Sequence, residues 1–581
     1  MSMNNPVHPQ GSRAKVLLSS VFGPYAQDDQ YGSRKINPME LYHNQVTRFQ
    51  GVFSLRMFHH SFGLMMIQAN LENPTTLLDF PEQERFIEEI RDNAYDIVGI
   101  SSIIPNVGKV KRMCELVRTY LPEATIVVGG HIANLGGVEE IIDADHIVKG
   151  DGVAWLRKFL GQDEKAAIRH PLALSASETR ILGHNLSCKP GDTAAIVIPS
   201  VGCPMGCNFC STSALFGGKG NFVNYYETGE ELFSVLSQLE KELKTQSFFV
   251  LDENFLLHRK RALRLLDLIE KHNKSWSFYV FSSARVLESY NMEQLVGLGV
   301  SWVWTGLEGK DSQYCKLNGV DTVAMVKRLQ SNGIRVLGST IIGLEDHTPE
   351  NIDQVIDYAV SHSTDFHQFM LYTANPGTPL YAQLKGQGKL KPVTEFDFAD
   401  AHGQHRFNHL HPHIRNHQEE EFLASAFKRD FKRNGPSLLR LISTMLQGWQ
   451  KYKKHEDRRI RARYAREVAP IRTTYAAAVW AMGKWYKNDP ALAEQSTALL
   501  AEIYKEFGWK TRLFSPVLGL VIYKKMRQEE MRLAEGWTKE PKTFYQTESR
   551  PICIRKLDQQ TSAQAVFPSL VQPQELSSYS A

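Results

Sequence analysis

Short apolar runs alternate with amphipathic stretches through the first 160 residues of the chain. The apolar runs predict buried strands at 15–20, 76–79, 96–101, 124–128 and 146–148. Helical periodicity predicts helices at 55–71, 82–93 and 107–120. Strands that alternate with helices form parallel sheets covered on both faces. The pattern therefore predicts an α/β domain over residues 13–160.

A polar stretch at 161–193, which contains Pro171, Pro190 and Gly191, predicts an irregular linker. Strand and helix patterns then resume, and the predicted strands of this second region lie at 194–198, 247–251, 276–281, 301–304, 336–342 and 367–371. Six β/α units predict a partial barrel over residues 194–390, with the reactive groups at the carboxyl ends of its strands. Residues 391–550 are predicted to be mainly helical. Residues 551–581, rich in Ser, Gln and Pro, predict a disordered tail.

Composition narrows the class of protein without naming a function. The chain has 581 residues, of which 42% are hydrophobic and 22% charged, as in ordinary soluble proteins. A net charge of +4 is too small to predict a nucleic-acid partner. Seven mostly scattered cysteines argue against a secreted disulfide framework. The polar N-terminus predicts no signal peptide, and no uncharged apolar run is long enough to cross a membrane. We therefore expect a cytoplasmic protein.

Three cysteines carry the strongest chemical signal. Cys203, Cys207 and Cys210 follow the apolar run 194–199 directly, in a C-x3-C-x2-C spacing. Three thiolates at this spacing can bind one corner of an iron–sulfur cube, whereas ferredoxins bind every iron with a fourth cysteine. No fourth cysteine lies nearby, so one iron is left open to another ligand. Two C-x2-C pairs would favour zinc, and this chain has a single pair.

The motif C-x3-C-x-aromatic-C after a strand resembles the signature of the radical S-adenosylmethionine (SAM) enzymes. The resemblance implies a 4Fe–4S cluster, bound by Cys203, Cys207 and Cys210, whose open iron binds SAM. In that family, an electron cleaves SAM to a deoxyadenosyl radical, which abstracts hydrogen from unreactive C–H bonds. Phe209, the aromatic residue of the motif, is expected to shield the cluster from water.

Other segments of the predicted barrel resemble the SAM-binding segments of this family. Asp252 and Glu253, in the stretch 249–255, stand where cobalamin-type members approach the SAM amino group. Ser282 and Glu308 stand where members contact the ribose and methionine portions of SAM. For Asp252 and Glu253 the alternative stays open that they are carboxylates stabilised at a helix N-terminus.

Three strand ends of the first domain, at 98–101, 127–131 and 148–152, resemble the flavodoxin- or Rossmann-like cobalamin-binding domain that precedes many radical SAM cores. The residues expected to contact cobalamin are Ser101, Ser102, Gly129, Gly130, Gly150, Asp151 and Gly152. No D-x-H-x-x-G motif is present to supply a lower axial histidine. A domain that packs without cobalamin is therefore the alternative. His131 is interpreted as a polar loop residue.

The C-terminal region contains a histidine-rich segment and a basic run. Six histidines between 402 and 417 fit no regular helix face, so a solvated connector is favoured over a metal site. Residues 428–466 carry thirteen Lys or Arg against three Asp or Glu. The apolar stretch 513–523 precedes Lys524 and Lys525 and suits a membrane surface. The alternative is a helical subdomain with a basic outer surface and a buried apolar hairpin.

The leading hypothesis is a cobalamin-dependent radical SAM enzyme that methylates an unactivated carbon. The expected partners are a small-molecule or lipid substrate, such as an isoprenoid, and an electron donor such as flavodoxin or ferredoxin. Contact with the inner face of the membrane is expected, and nucleic acid is not. One alternative is radical cyclisation, carbon–carbon coupling or oxidation without methyl transfer. The other is a non-enzymatic iron–sulfur sensor that binds a membrane or RNA.

Overall fold

The computed structural model describes residues 7–21, 40–41, 45–309, 317, 319–536 and 543–552. Its elements through residue 160 are β1 (Val16–Ser19), β2 (Glu40–Leu41), β3 (Arg56–Phe58), α1 (Phe62–Asn70), β4 (Thr75–Asp79), α2 (Gln83–Asp92), β5 (Ile97–Ser101), α3 (Val107–Tyr120), β6 (Thr125–Gly129), β7 (His146–Val148) and α4 (Gly152–Phe159). Strands β4, β1, β5, β6 and β7 pair in parallel, in that order. The predicted α/β domain is confirmed.

Two stretches differ from their predicted local structure. The helix predicted at 55–71 is divided into β3 and α1. The linker predicted to be irregular contains β8 (Glu178–Ile181) and β9 (His184–Ser187), which form an antiparallel sheet with β2 and β3. In β3, buried Arg56 and Phe58 flank half-buried Met57, which is the two-residue period of a strand. Pairing with β8, more than a hundred residues later, selects that period.

The second region contains β10 (Ala195–Val197), β11 (Ser200–Val201), α5 (Ser211–Leu215), β12 (Val223–Asn224), α6 (Gly229–Leu243), β13 (Ser247–Val250), α7 (Arg259–Lys271), β14 (Ser277–Phe281), α8 (Ala284–Glu288), α9 (Met292–Leu298), β15 (Val300–Gly306), α10 (Thr322–Gln330), β16 (Arg335–Ile342), α11 (Ile352–Ser361), β17 (Phe366–Leu371) and α12 (Pro379–Gly386). Strands β10, β13, β14, β15, β16 and β17 pair in parallel in sequence order. Each lies at a predicted strand, so the partial barrel is confirmed.

The C-terminal region is helical, as predicted, and ends in a strand that was not predicted. Its elements are α13 (Gln418–Asn434), α14 (Ser437–Tyr452), α15 (Arg458–Val468), α16 (Thr474–Trp485), α17 (Pro490–Ala534) and β18 (Phe544–Gln546). Strand β18 pairs with β4 at the edge of the first sheet. None of the described helices is both long and apolar enough to cross a bilayer. The predicted tail, from residue 553 onward, lies outside the described residues.

The basic run at 428–466 does not form the exposed stripe that its composition suggests. Arg440 is buried and pairs with Asp430 at 2.9 Å. Arg466 donates to the carbonyl of Ser275 in the barrel at 2.6 Å. Tyr452 and Tyr464 are buried and stacked, with ring centroids 4.7 Å apart. These residues therefore attach the helical region to the barrel, which the sequence alone could not distinguish from a surface role.

The histidine-rich connector is also more buried than predicted. His402, His409 and His411 are buried. His411 stacks on Phe407, with a centroid distance of 5.2 Å. Among the described residues no group of three His, Cys, Asp or Glu converges on one metal position. Burial lowers the pKa of His409 to about 3, so its ring is neutral and packs as part of the core.

Candidate active site between two sheets

The cysteine loop begins just after β11, at the carboxyl end of β10, and ends at α5. Gly202 and Gly206 have φ angles of 87° and 66°, in the left-handed region that favours glycine. A Cβ on Gly206 would lie 2.5 Å from Cβ of Lys219. Within the loop, the N–H of Cys210 donates to the carbonyl of Cys207 at 3.0 Å. Tight backbone turns thus hold Cys203, Cys207 and Cys210 in one compact loop.

The cysteine side chains provide the three donors that a cluster uses. Burial raises the pKa of Cys203 to about 12, and it also raises the pKa of Cys210, so both thiols are neutral until a cation binds. Cys207 and Cys210 lie close enough to influence the pKa of Cys203. Among the described residues, no group of three His, Cys, Asp or Glu side chains converges on one metal position. In an iron–sulfur cube each thiolate binds a different iron, so three cysteines in one loop can bind three of the four irons.

Residues between the cysteines tie the loop to the last barrel strand. The N–H of Leu380 donates to the carbonyl of Asn208 at 3.0 Å, which joins the loop to the turn after β17. The Asn208 amide donates to the hydroxyl of Tyr372 at 3.3 Å. Phe209 packs edge-on against Tyr372, with ring centroids 6.1 Å apart. Phe209 therefore lies between the cysteine loop and the barrel.

Asp252 and Glu253 follow β13 but have different surroundings. Asp252 is buried and accepts hydrogen bonds from Ser200 at 2.7 Å and from the Arg261 guanidinium at 2.5 Å. Glu253 lines a cavity beside the cysteine loop. The Glu253 side chain is exposed, but the protein around it displaces part of the water from its carboxyl. This desolvation and then the charge of Asp252 raise the pKa of Glu253. Both residues line this cavity, but Asp252 is held by its partners and fixes the end of β13 against α7.

Ser282 and Glu308 follow the next two strands. Ser282 is buried and donates to Oδ1 of Asn254 at 3.1 Å. The N–H of Ser283 donates to the same oxygen at 3.1 Å, so Asn254 joins the ends of β13 and β14. Glu308 is buried at the end of β15 and lines a second cavity. The predicted polar residues therefore lie along one rim of the barrel, and Asn254 joins those after β13 and β14.

The first cavity, of about 480 Å³, lies between the carboxyl ends of the two parallel sheets. The first domain contributes six of the seven residues expected to contact cobalamin, namely Ser101, Gly129, Gly130, Gly150, Asp151 and Gly152. Ser102 supports this surface from behind, since its N–H donates to Gly129 at 3.1 Å. A Cβ on Gly130 would lie 2.5 Å from the Ser102 carbonyl. Because glycines at these strand ends carry no side chains, a broad, flat ligand can approach the backbone there.

Direct hydrogen bonds join the two walls of this cavity. The Tyr225 hydroxyl, on the barrel side, donates to Oδ1 of Asp151 at 3.4 Å. Oδ1 of Asp151 also accepts from the N–H of Val153 at 2.9 Å and so caps α4. The Asn134 amide of the first domain donates to the carbonyl of Ser211, directly after the cysteines, at 3.1 Å. Ligands of the two domains would therefore lie face to face.

The second cavity, of about 440 Å³, lies beside the first and is lined by Phe209, Glu308 and the ends of β16 and β17. His131 lines both cavities. Its Nδ1 atom is buried and has no hydrogen-bond partner among the residues that the structure describes. Burial lowers its pKa to about 4, so the ring is neutral. The sequence predicts His131 only as a polar loop residue, and its place directly after Gly129–Gly130 is the one signal there of a site role.

Comparisons with known proteins agree with this division of the chain. Residues 51–160 match the family model described as the B12 binding domain. Residues 197–359 match the family model of the Radical SAM superfamily. The first match contains the strand ends that line the first cavity, and the second contains the three cysteines.

Several known proteins are similar to this chain, among them two relatives and one solved structure. Bacteriochlorophyllide d C-8(2)-methyltransferase of Chlorobaculum tepidum is 25% identical over 63% of this chain and 83% of its own length. An uncharacterized methyltransferase of Pyrococcus horikoshii is 25% identical over 49% of this chain and 68% of its own length. The radical SAM methyltransferase TsrM of Kitasatospora setae, solved with cobalamin and a [4Fe–4S] cluster, shares the fold with a TM-score of 0.50. That match has 15% identity and covers 78% of this chain and 99% of TsrM.

Proposed function

We propose that this chain, which carries a B12 binding domain followed by a radical SAM domain, is a cobalamin-dependent enzyme that methylates an unactivated carbon of a small molecule. The observation that carries the proposal is the first cavity. It is enclosed by the glycine-rich strand ends of the first domain and by residues beside the cysteine loop, including Glu253. Groups bound to the two domains would meet there.

Each part of the rim has a proposed role. Cys203, Cys207 and Cys210 hold a 4Fe–4S cluster. Glu253, Ser282 and Glu308 hold SAM, with Asp252 fixing the end of β13 through Arg261. When bound, the cluster and SAM supply a radical that removes hydrogen, and cobalamin supplies a methyl group. The protein orients these groups and excludes water from them. The reducing electron comes from a flavodoxin- or ferredoxin-type donor.

The test is anaerobic reconstitution of the full chain with iron, sulfide, cobalamin and SAM, followed by reduction. We expect 5′-deoxyadenosine and S-adenosylhomocysteine as products. Serine at position 203, 207 or 210 should reduce both to background, because a hydroxyl is a poor ligand for these irons. The matched control is Cys188→Ser, since Cys188 is a free cysteine outside the loop. Unchanged SAM cleavage in Cys207→Ser would contradict the proposal.

The same assay separates the rival functions. Radical cyclisation, coupling or oxidation would yield deoxyadenosine without S-adenosylhomocysteine. An iron–sulfur sensor would form a cluster that leaves SAM intact on reduction. The glycine-lined wall of the first cavity supports methyl transfer over the sensor, because it leaves a surface for cobalamin, the methyl donor, beside the cysteine loop.

The distal half of α17 presents an apolar face to solvent. Trp509, Leu513 and Val517, spaced four residues apart, are 69%, 58% and 65% exposed. The opposite face packs into the helical region through the small residues Ser515 and Gly519. The exposed basic residues beside the apolar face are Lys510, Arg512, Lys524, Lys525 and Arg527. This is the pattern of a helix that lies in the headgroup region of a membrane.

The α17 face is therefore proposed to bind an anionic membrane surface. Burying one such side chain contributes about 1.5–3 kcal/mol, and each nearby cation about 1 kcal/mol. We expect the protein to co-sediment with phosphatidylserine-containing vesicles, and less with pure phosphatidylcholine. Phe514→Glu with Val517→Glu should abolish sedimentation. Val393→Glu, at another exposed apolar side chain, should not. Self-association that the double variant removes, without vesicle binding, would assign the face to a second copy instead.

A further inference from the structure

A third cavity, of about 420 Å³, lies at the opposite end of the barrel from the cysteines. Its walls include Ser247, Ser277 and Arg335, each the first residue of a barrel strand. Radical SAM chemistry takes place at the carboxyl ends of the strands, so this chamber is separate from the cavities already described. We refer to it as the lower chamber. Its volume is that of a site for a small molecule.

Aromatic rings from neighbouring strands line the lower chamber. Phe249 stacks on Tyr279 with centroids 4.5 Å apart, and Tyr279 lies 5.6 Å from Trp302. Trp302 in turn stacks on Phe366 at 5.6 Å. Phe281 and Trp304 form a second layer. They lie two residues further along the same strands, about 7 Å higher. The rings form a wall suited to a large apolar molecule.

Phe281 connects the lower chamber with the first cavity. Phe281 lines the first cavity beside Glu253. It also lies 5.8 Å from Phe249 and 5.9 Å from Tyr279, which both line the lower chamber. The two stacked layers of aromatic rings therefore separate the two spaces. A molecule whose apolar body fills the lower chamber would reach the proposed site of hydrogen abstraction by displacing rings of both layers.

One polar atom in the lower chamber lacks a partner. Nδ1 of His59 lies 2.5 Å from the carbonyl of Ser175, so this nitrogen carries the proton and donates it. Burial lowers the pKa of His59 to about 4, so the ring is neutral and Nε2 is an acceptor. Nε2 is buried and has no hydrogen-bond partner within the described part of the chain. A buried acceptor without a hydrogen bond is energetically unfavourable, and a ligand hydroxyl that donates to it removes this cost.

The charged groups in the lower chamber are already paired. Arg335 and Glu467 both line it and form an ion pair at 2.9 Å. Burial would raise the pKa of Glu467, but Arg335 and Arg463 hold it below its usual range, so the pair stays ionised. A charged ligand would find no free counter-ion among these two groups. The lower chamber therefore suits a neutral molecule rather than an acid or an amine.

The mouth of the lower chamber lies near the membrane-facing helix. Leu186 of β9 lines the chamber and is 52% exposed, which places it at the mouth. The β8–β9 hairpin packs on α17, where Arg180 pairs with Glu529. A Cβ on Gly183, in the turn of this hairpin, would lie 2.8 Å from the carbonyl of Lys525. An apolar molecule leaving a membrane at α17 would meet this opening first.

We propose that the lower chamber binds the methyl acceptor, a neutral, largely apolar molecule with one hydroxyl group that donates to Nε2 of His59. This assignment of the acceptor rests on the proposed methyl-transfer function. The binding of such a molecule does not depend on catalysis, so the two can be tested separately. Isoprenoid and polycyclic alcohols have the required chemistry, and farnesol is a suitable probe.

Binding is measured by anaerobic calorimetry of farnesol on the reconstituted full-length protein. Ser247→Phe fills the lower chamber and should abolish binding, whereas Ser331→Phe, at an exposed serine outside it, should not. Removing one hydrogen bond should weaken binding roughly tenfold, both for farnesyl methyl ether on the wild type and for farnesol on His59→Phe. Equal binding of farnesol to wild type and Ser247→Phe would overturn the site. Equal binding of the ether and the alcohol to wild type would overturn the hydroxyl contact.

Deoxyadenosine formation is measured in the same samples. Saturating farnesol should change its rate at least twofold in the wild type and leave Ser247→Phe unchanged. A rate that does not respond to bound farnesol would overturn the assignment to the methyl acceptor. If the wild type cleaves no SAM while farnesol still binds, the proposed function fails and the binding site stands. If SAM is cleaved and farnesol does not bind, the lower-chamber assignment fails alone.

Discussion

At the scale of single residues, His170 shows how one buried side chain positions the cysteine-bearing strand. The N–H of Ile198, just after β10, donates to Nε2 of His170 at 3.1 Å. Nδ1 of His170 lies 2.8 Å from the carbonyl of Pro171 and donates to it. The contact with Ile198 requires a neutral ring, because Nε2 accepts in it, and burial lowers the pKa of His170 to about 4. Protonation would remove the acceptor that holds the strand end.

This pKa predicts a pH dependence of stability. Because the folded pKa lies below the ordinary value of 6.5, the native state binds fewer protons than the unfolded state between pH 4 and 6.5. Stability is therefore lost as the pH falls through this window, by up to about 1.4 kcal/mol per pH unit. His170→Gln should lose less between pH 6.5 and 4.5, as measured by urea unfolding midpoints. Other buried histidines titrate in both the wild type and the variant, so the difference between the two pH profiles reports on His170. Identical profiles would contradict this prediction.

At the scale of elements, α17 is two helical segments joined at Gly508. This residue has φ 80° and ψ −165°, a conformation essentially restricted to glycine. The segment before it packs through Leu499 and Ile503, and the segment after it through Ile522 and Met526. The bend thus sets the direction of the exposed apolar face relative to the rest of the helical region. The sequence predicted an interfacial stretch at 513–523, but it did not predict the bend at Gly508 that sets the direction of this stretch.

Gly508→Ala should therefore destabilise the helical region. No atom of the described residues lies within 4 Å of a Cβ at this position, so the cost is backbone strain, about 1–3 kcal/mol. Gly386→Ala, also unobstructed but at the end of α12 without a positive φ, is the matched control and should be neutral or stabilising. Urea unfolding followed by circular dichroism measures both. Equal midpoints for the two variants would show that the bend is not needed.

At the scale of the whole molecule, the end of the described chain returns to its beginning. Strand β18 pairs antiparallel with β4, with Tyr545 opposite Leu78. Ile552 exchanges two backbone hydrogen bonds with His170, at 2.7 and 3.0 Å. Covering β4 removes an exposed sheet edge from the first domain. The first domain, the barrel and the C-terminal region therefore depend on one another.

Two truncations test this dependence. Removing residues 537–581 deletes β18 and should lower the thermal unfolding midpoint of the first domain, by roughly 2–4 °C for each kcal/mol lost. It should also weaken cobalamin binding, because β4 belongs to the sheet whose strand ends line the first cavity. Removing only residues 553–581 keeps β18 and should leave both unchanged. Matching losses in the two truncations would show that β18 contributes nothing.

Local patterns in the sequence predicted most of the fold. Strands of the barrel and of the first sheet were recognisable because buried parallel strands are continuous apolar runs. Helix 107–120 was predicted with the bounds that α3 has. The cysteine spacing predicted the loop because its three donors lie within eight residues. These features depend on neighbours along the chain, which the sequence displays directly.

Long-range contacts decided the remainder. Asp252 and Glu253 are adjacent in sequence and both line the first cavity, yet Asp252 is buried and bound by Arg261 while Glu253 is exposed. Basic residues such as Arg440 proved to be attachments to the core, because their partners lie elsewhere in the chain. The sequence by itself determined the order of the parallel strands in both sheets, the cysteine loop and the chemical class. The tertiary structure alone decided which side chains face a shared cavity, because orientation and burial depend on residues that meet only after folding.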